Sequence, residues 1–134
     1  EAMSKRRTGL GFTGLANALQ QLKLRYGSSS AVLMTEQITQ AIKIAAYDAS
    51  ADLAAERGPF PLFDADKFLE SPNVKSLPDW LQDKIKKQGI RNAVLLTIAP
   101  VGTGSLFYDN VSSGIEPVFQ WEYPRKVSLL DSDL

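Results

Sequence analysis

The chain has 134 residues, 44% apolar and 22% charged, which fits one soluble domain or a piece of a larger one. Lys+Arg and Asp+Glu stand at 15 each, so there is no net basic field to gather nucleic acid or an acidic membrane surface. Cysteine and histidine are both absent, which removes disulfides, Cys/His zinc sites, thiol nucleophiles and radicals, and every His-based triad.

Residues 1–8 are polar and basic without an apolar core behind them, and no apolar run approaches the roughly 20 residues of a membrane helix. A cytoplasmic protein is expected, with neither nucleic acid nor membrane as partner. Leu15, Ala18, Leu19 and Leu22 recur at helical spacing and predict a helix over residues 13–24. The Ser28-Ser29-Ser30 run links it to the next element and supplies an N-cap. That element is a long helix over 31–56, with Ile38, Ile42, Ala45, Ala49 and Leu53 as its apolar stripe. Gly58 stands where a left-handed cap belongs, and Pro59 and Pro61 forbid continuation.

The segment PFPLF (59–63) reads as extended apolar chain laid across the core. Asp64 caps a short helical turn carrying Phe68 and Leu69, and a Pro-Asn loop follows. A helix over 78–88 is expected to turn Trp80, Leu81 and Ile85 inward and to stop at Gly89. The period then changes. AVLLTIA (93–99) is a nearly continuous apolar run ended by Pro100, as expected of a strand buried on both faces in a helix-covered parallel sheet. One such strand is not a sheet, so neighbours outside this chain are expected. The exposed edge would otherwise promote self-association or be covered by the chain's own C-terminal strand. There, Phe119, Trp121 and Tyr123 alternate with polar residues and suit a half-buried strand.

Two glycine-rich stretches carry the candidate chemistry. GLGFTG (9–14) matches the letters of a dinucleotide fingerprint, but the residues before it are too polar for a buried strand and Glu36 falls within a helix. Close packing of backbone is the simpler reading. Pro100-Val101-Gly102-Thr103-Gly104-Ser105 leaves the carboxyl end of the apolar strand, where ligands bind in α/β sheets. Its amides and two hydroxyls suit a phosphate held by neutral donors, and they equally suit an ordinary strand exit.

Taken together, RRTGLGFTGLANAL, AAYDASADLAAERGPFPLF, GIRNAVLLTIAPVGTGS and NVSSGIEPVFQWEYPRKV resemble consecutive blocks of the large catalytic chain of ribonucleotide reductase, with the adenosylcobalamin-dependent class II branch nearest. The resemblance implies an α/β fold, as a partial segment of a ten-stranded α/β barrel. This segment would be mostly helical in isolation, with one buried apolar strand and one or two short C-terminal strands. Residues 1–134 are then a single fragment, helical over about 13–88, with strand, phosphate loop and C-terminal part over about 92–127. By the same resemblance Val101, Gly102, Thr103, Gly104 and Ser105 form the substrate-phosphate loop, for a ribonucleoside di- or triphosphate. The family pattern commonly reads Pro-Thr-Gly-Thr-Ile-Ser, so Val101 and Gly104 are departures. Family chemistry begins at a cysteine thiyl radical and ends with a cysteine pair, and this chain has no cysteine. The resemblance therefore implies no catalytic or metal-binding residue here and no cofactor in the fragment. Adenosylcobalamin is implied for the full enzyme, and the remainder of the reductase chain is the partner. A non-catalytic phosphate-binding or scaffold module is the alternative.

Overall fold

Six helices follow one another in the computed structural model, which describes residues 1–109, 111–118, 120, 122 and 124: α1 (Ala2–Lys5), α2 (Leu15–Gln21), α3 (Ser29–Arg57), α4 (Ala65–Leu69), α5 (Pro72–Lys75) and α6 (Asp79–Gln88). A 3-10 turn, Gly104–Tyr108, comes after them. None of the helices is long and apolar enough to cross a membrane. The alternating residues Phe119, Trp121 and Tyr123 lie outside the described residues, as does the segment 125–134.

Helix α3 is the spine. The Ser28 side chain accepts from the Ala31 amide at 3.2 Å, so the predicted cap is in place. At the other end Gly58 has a positive φ of 76°, but its ψ of 155° makes an extended exit rather than the left-handed cap expected. The buried face also differs from the predicted stripe. Tyr47, Ser50, Ala51 and Ala54 are buried, whereas Ala45, Ala49 and Leu53 are exposed. Small apolar residues occur all around this helix, and packing against α6 selects the face that its own sequence leaves open.

Helix α6 lies on that face. Leu81 and Ile85 have no exposed surface and join Tyr47, Ala51, Phe60, Val74, Leu77, Ile90 and Leu95 in the main core. Trp80, expected inward, is 53% exposed, because the i, i+4 pair Leu81 and Ile85 occupies the inner face. Lys84 links the two helices, reaching Asp48 at 2.5 Å and Asp52 at 2.7 Å. Its hydrogen bonds to Asp48 and Asp52 raise the ammonium above its usual pKa, and the bond from Lys84 holds the Asp52 carboxyl below its own.

The PFPLF segment crosses the core as predicted at Phe60, which is buried, and exposes Leu62. Phe60, Phe63 and Phe68 cluster with ring centroids 5.5–6.1 Å apart. Asp64 caps α4 through the Lys67 amide at 3.2 Å. The expected Pro-Asn loop is instead helix α5, with Pro72 in its first turn and Val74 buried beneath it. A second, smaller cluster of Leu15, Leu19 and Ala31 joins α2 to the start of α3.

The strand expectation needs correction. Among the described residues there is no regular strand, only an isolated parallel bridge between Leu10 and Leu96. Residues 93–99 are not buried on both faces, since Val94 is 43% and Ile98 45% exposed. One edge is nevertheless paired, by the N-terminal segment. Ala93 donates to the Lys5 carbonyl at 3.0 Å, Thr8 to Val94 at 2.9 Å, Leu10 to Leu95 at 2.7 Å and Thr97 to Leu10 at 3.0 Å. The polar segment before GLGFTG thus pairs in parallel after all, while staying exposed. Thr8 and Leu10 are two residues apart yet donate to consecutive carbonyls, so Gly9 is the extra residue of a β-bulge. A bulge in so short a ladder explains why no continuous strand develops.

Candidate functional site

The parallel ladder brings the two glycine-rich stretches side by side. Gly9, Gly11, Phe12 and Thr13 on one side, with Thr97, Ala99, Val101 and Tyr108 on the other, line a cleft of about 300 Å³. Gly11 permits this approach: a Cβ there would lie closer to the Thr97 carbonyl oxygen than real contacts allow. The packing reading of GLGFTG is therefore the one the geometry supports.

The start of α2 is held from within the chain. Gly14 donates to the Ser112 carbonyl at 2.8 Å, Leu15 to Gly114 at 3.3 Å and Ala16 to the Ser112 hydroxyl at 3.2 Å. The Thr13 hydroxyl donates to the Ser112 carbonyl at 2.5 Å and accepts from the Gly114 amide at 3.2 Å, while Ser112 donates its amide to Asn17. These amides are the ones a dinucleotide pyrophosphate would need, and they are occupied. The segment with Ser112 and Gly114 is thus the N-terminal brace of α2, a role that no local sequence pattern reveals. The residues it holds lie about a hundred positions earlier. Ser112→Ala should lower stability by about 1 kcal/mol through the lost cap. A thermal melt at unchanged helix content would check it, and an unchanged midpoint would count against the brace. Glu116, on the same loop, is exposed.

The predicted phosphate-loop residues fall at the exit of the ladder. Val101 is half-buried and lines the cleft, Gly102 and Thr103 are exposed, Gly104 is half-buried, and Ser105 is 2% exposed. The Ser105 hydroxyl donates to the Gly102 carbonyl at 2.8 Å and its amide to Val101 at 2.9 Å, so this residue closes the turn. The amides of Gly102, Thr103 and Gly104 have no hydrogen-bond acceptor among the described residues, and the Thr103 side chain faces solvent. The two departures from the family pattern fit one another. A Cβ on Gly104 would come within 2.5 Å of Val101 Cγ1, so a branched residue at 104 and this placement of Val101 exclude each other.

No three His, Cys, Asp or Glu side chains are grouped to hold a metal ion among the described residues. Arg91 instead finds backbone, donating to the carbonyls of Arg57 at 2.6 Å and Gly58 at 2.9 Å at the end of α3. Desolvation, and then the charges of Arg6 and Arg57, press its pKa downward.

The family profile described as "Ribonucleotide reductase, barrel domain" matches residues 1–131. A vitamin B12-dependent ribonucleoside-diphosphate reductase of Mycobacterium tuberculosis (strain CDC 1551 / Oshkosh) is 35% identical over 126 residues, covering 94% of this chain and 16% of that protein. The ribonucleoside-diphosphate reductase large chain of Cryptosporidium parvum is 34% identical over 131 residues, and the large subunit of Danio rerio 33% over 131. Each of these two alignments covers 89% of this chain and 16% of the relative. The chain thus spans about one-sixth of the length of the relatives it matches. With the profile running over nearly its whole length, the chain belongs to the ribonucleotide reductase barrel-domain family.

Proposed function

We propose that this chain is a segment of the large catalytic chain of a ribonucleotide reductase, of the adenosylcobalamin-dependent class II branch, and that it contributes the loop holding the phosphates of a ribonucleoside diphosphate. The observation that carries this reading is the run of amides at Gly102, Thr103 and Gly104, without an acceptor among the described residues, at the carboxyl exit of the Leu10–Leu96 bridge. The diphosphate is taken from the names of the relatives, and the B12-dependent branch from one of them together with the block resemblance.

In that setting residues 93–99 form one strand of a ten-stranded barrel, a neighbouring strand takes the second edge, and Val94 and Ile98 are covered. A cytoplasmic place goes with this role. Val101, Gly102, Thr103, Gly104 and Ser105 then divide the work. Three amides and the Thr103 hydroxyl donate to phosphate oxygens, Ser105 closes the turn that presents them, and Val101 walls the adjoining cleft. Neutral donors suit an anion that must bind and leave, since no lysine anchors it. The chain has no cysteine to carry a radical or reduce a ribose, so those steps belong to other parts of the reductase. With neither histidine nor cysteine it offers the cobalt of adenosylcobalamin no imidazole or thiolate ligand.

In a complete reductase carrying this segment, Thr103→Val should raise KM for the diphosphate about tenfold, as one charge-assisted hydrogen bond is lost. Gly102→Pro, which deletes an amide, should raise it at least as much. Steady-state kinetics across a nucleoside diphosphate series measures both, and two folded variants with unaltered KM would remove the loop from the substrate site. Saturable binding by the 134-residue chain alone, with no activity once the cysteine-bearing portions are supplied, would favour a binding module instead.

A further inference from the structure

Asn92 stands immediately before the ladder, and its side chain joins three segments. Nδ2 donates to the Arg6 carbonyl at 2.8 Å, and Oδ1 accepts from the Ser50 hydroxyl at 2.9 Å. Ser50 lies on α3 with 2% of its surface exposed, and its own carbonyl takes the Arg91 amide at 3.0 Å. The Arg6 carbonyl can only accept, and the Ser50 hydroxyl is oriented as a donor. A carboxamide satisfies both at once, a carboxylate only the second, and an alkyl group neither.

The ladder that follows has little to fix its own alignment. It consists of four hydrogen bonds, contains a bulge at Gly9 and a second glycine at 11, and leaves Leu10, Val94 and Ile98 exposed. Glycine-rich, half-exposed strands slip readily, because few buried side chains penalise the wrong pairing. A slip of one residue would carry everything after it about 3.3 Å along the strand direction. It would also turn Leu95, now in the main core, to the outside.

We propose that Asn92 is a positioning residue that sets the register of residues 5–10 against 93–97, and so fixes where the loop Val101, Gly102, Thr103, Gly104 and Ser105 stands relative to the cleft at Gly11 and Phe12. Its anchor is α3, which contributes Tyr47 and Ala51 to the main core. The effect on phosphate binding rests on the function proposed above. The register does not, and it is read without any nucleotide.

The 134-residue chain has no cysteine, so introduced pairs report alignment without background. Leu10→Cys is combined in turn with Leu95→Cys, Leu96→Cys or Thr97→Cys in the 134-residue chain, and disulfide formation is followed under mild oxidation. Leu10 and Leu96 face one another across the bridge, so the 10–96 pair should dominate. With Asn92→Leu, cross-linking of 10 to 95 or 97 should rise about tenfold relative to 10–96, the weight of one to two lost hydrogen bonds. Asn92→Asp, nearly the same shape but without the donor to Arg6, should shift the same ratio in the same direction. It also keeps the test open should the leucine variant fail to fold. Either variant, folded by circular dichroism and still cross-linking 10 to 96 alone, overturns the proposal, because a role limited to stability lowers the melting point without changing partners. A shifted register with unaltered nucleotide binding would leave Asn92 as the pin and instead count against the phosphate loop.

Discussion

Replacing Ile85 with alanine should destabilise the chain by about 2–5 kcal/mol, the range for emptying a fully buried aliphatic site. Ile85 has no exposed surface and packs in the cluster that holds Tyr47, Ala51, Phe60, Leu81 and Ile90. Its neighbours are contributed by α3, by the extended segment at Phe60 and by α6, elements that cannot all close in on the space left behind. Trp80→Ala is the informative control: it deletes more atoms from the same helix, but from a side chain more than half exposed. Its cost should be about 1 kcal/mol or less. Urea titrations followed by far-ultraviolet circular dichroism give both values. Equal losses would mean that the inner face of α6 has been misassigned.

Gly11→Ala should cost about 1–3 kcal/mol, with the damage confined to the ladder. The added methyl group would meet the Thr97 carbonyl oxygen, a backbone atom with no rotamer to turn away. Either the two segments part or the chain bends between Leu10 and Phe12. The Thr97 amide, bonded to the Leu10 carbonyl at 3.0 Å, should then exchange with solvent faster, while the amides of α6 keep their protection. Gly102→Ala provides the contrast, because nothing lies within 4 Å of a Cβ there. Its stability effect should stay within about 0.5 kcal/mol. Equal protection of Thr97 in the Gly11→Ala and unsubstituted chains would falsify the close approach.

What the sequence made legible was mostly local. Ser28 and Asp64 as caps, α3 and α6 as helices, and Gly89 as a stop each depend on a few neighbouring residues. Burial was harder to read. Trp80 was expected inward because it is large and apolar, yet two smaller residues one turn apart already filled the inner face. Residues 93–99 read as a doubly covered strand because their composition describes the surroundings they suit. Among the described residues only one edge is paired, and Val94 and Ile98 remain exposed. For the candidate site, composition picked out the glycine-threonine loop and the block resemblance supplied its role. Neither could show that the Ser105 hydroxyl turns back to Gly102, or that Gly104 makes room for Val101. The brace of α2 by Ser112 and the tie at Asn92 stayed hidden for a simpler reason. Their partners lie 42 to about a hundred residues away, beyond any local pattern.

The ladder joins partners 85 (Leu10 to Leu95) to 88 (Lys5 to Ala93) positions apart. During synthesis residues 5–10 therefore leave the ribosome long before their ladder partners do. Until residues 93–97 emerge, this glycine-bearing stretch has no ladder to join, while α3 can already coil. Closing so long a loop is a modest thermodynamic burden, each doubling of its length adding only about 0.6 kcal/mol, but it makes the union a late event in folding. The place where the glycine-threonine loop emerges is consequently among the last features of the chain to take shape.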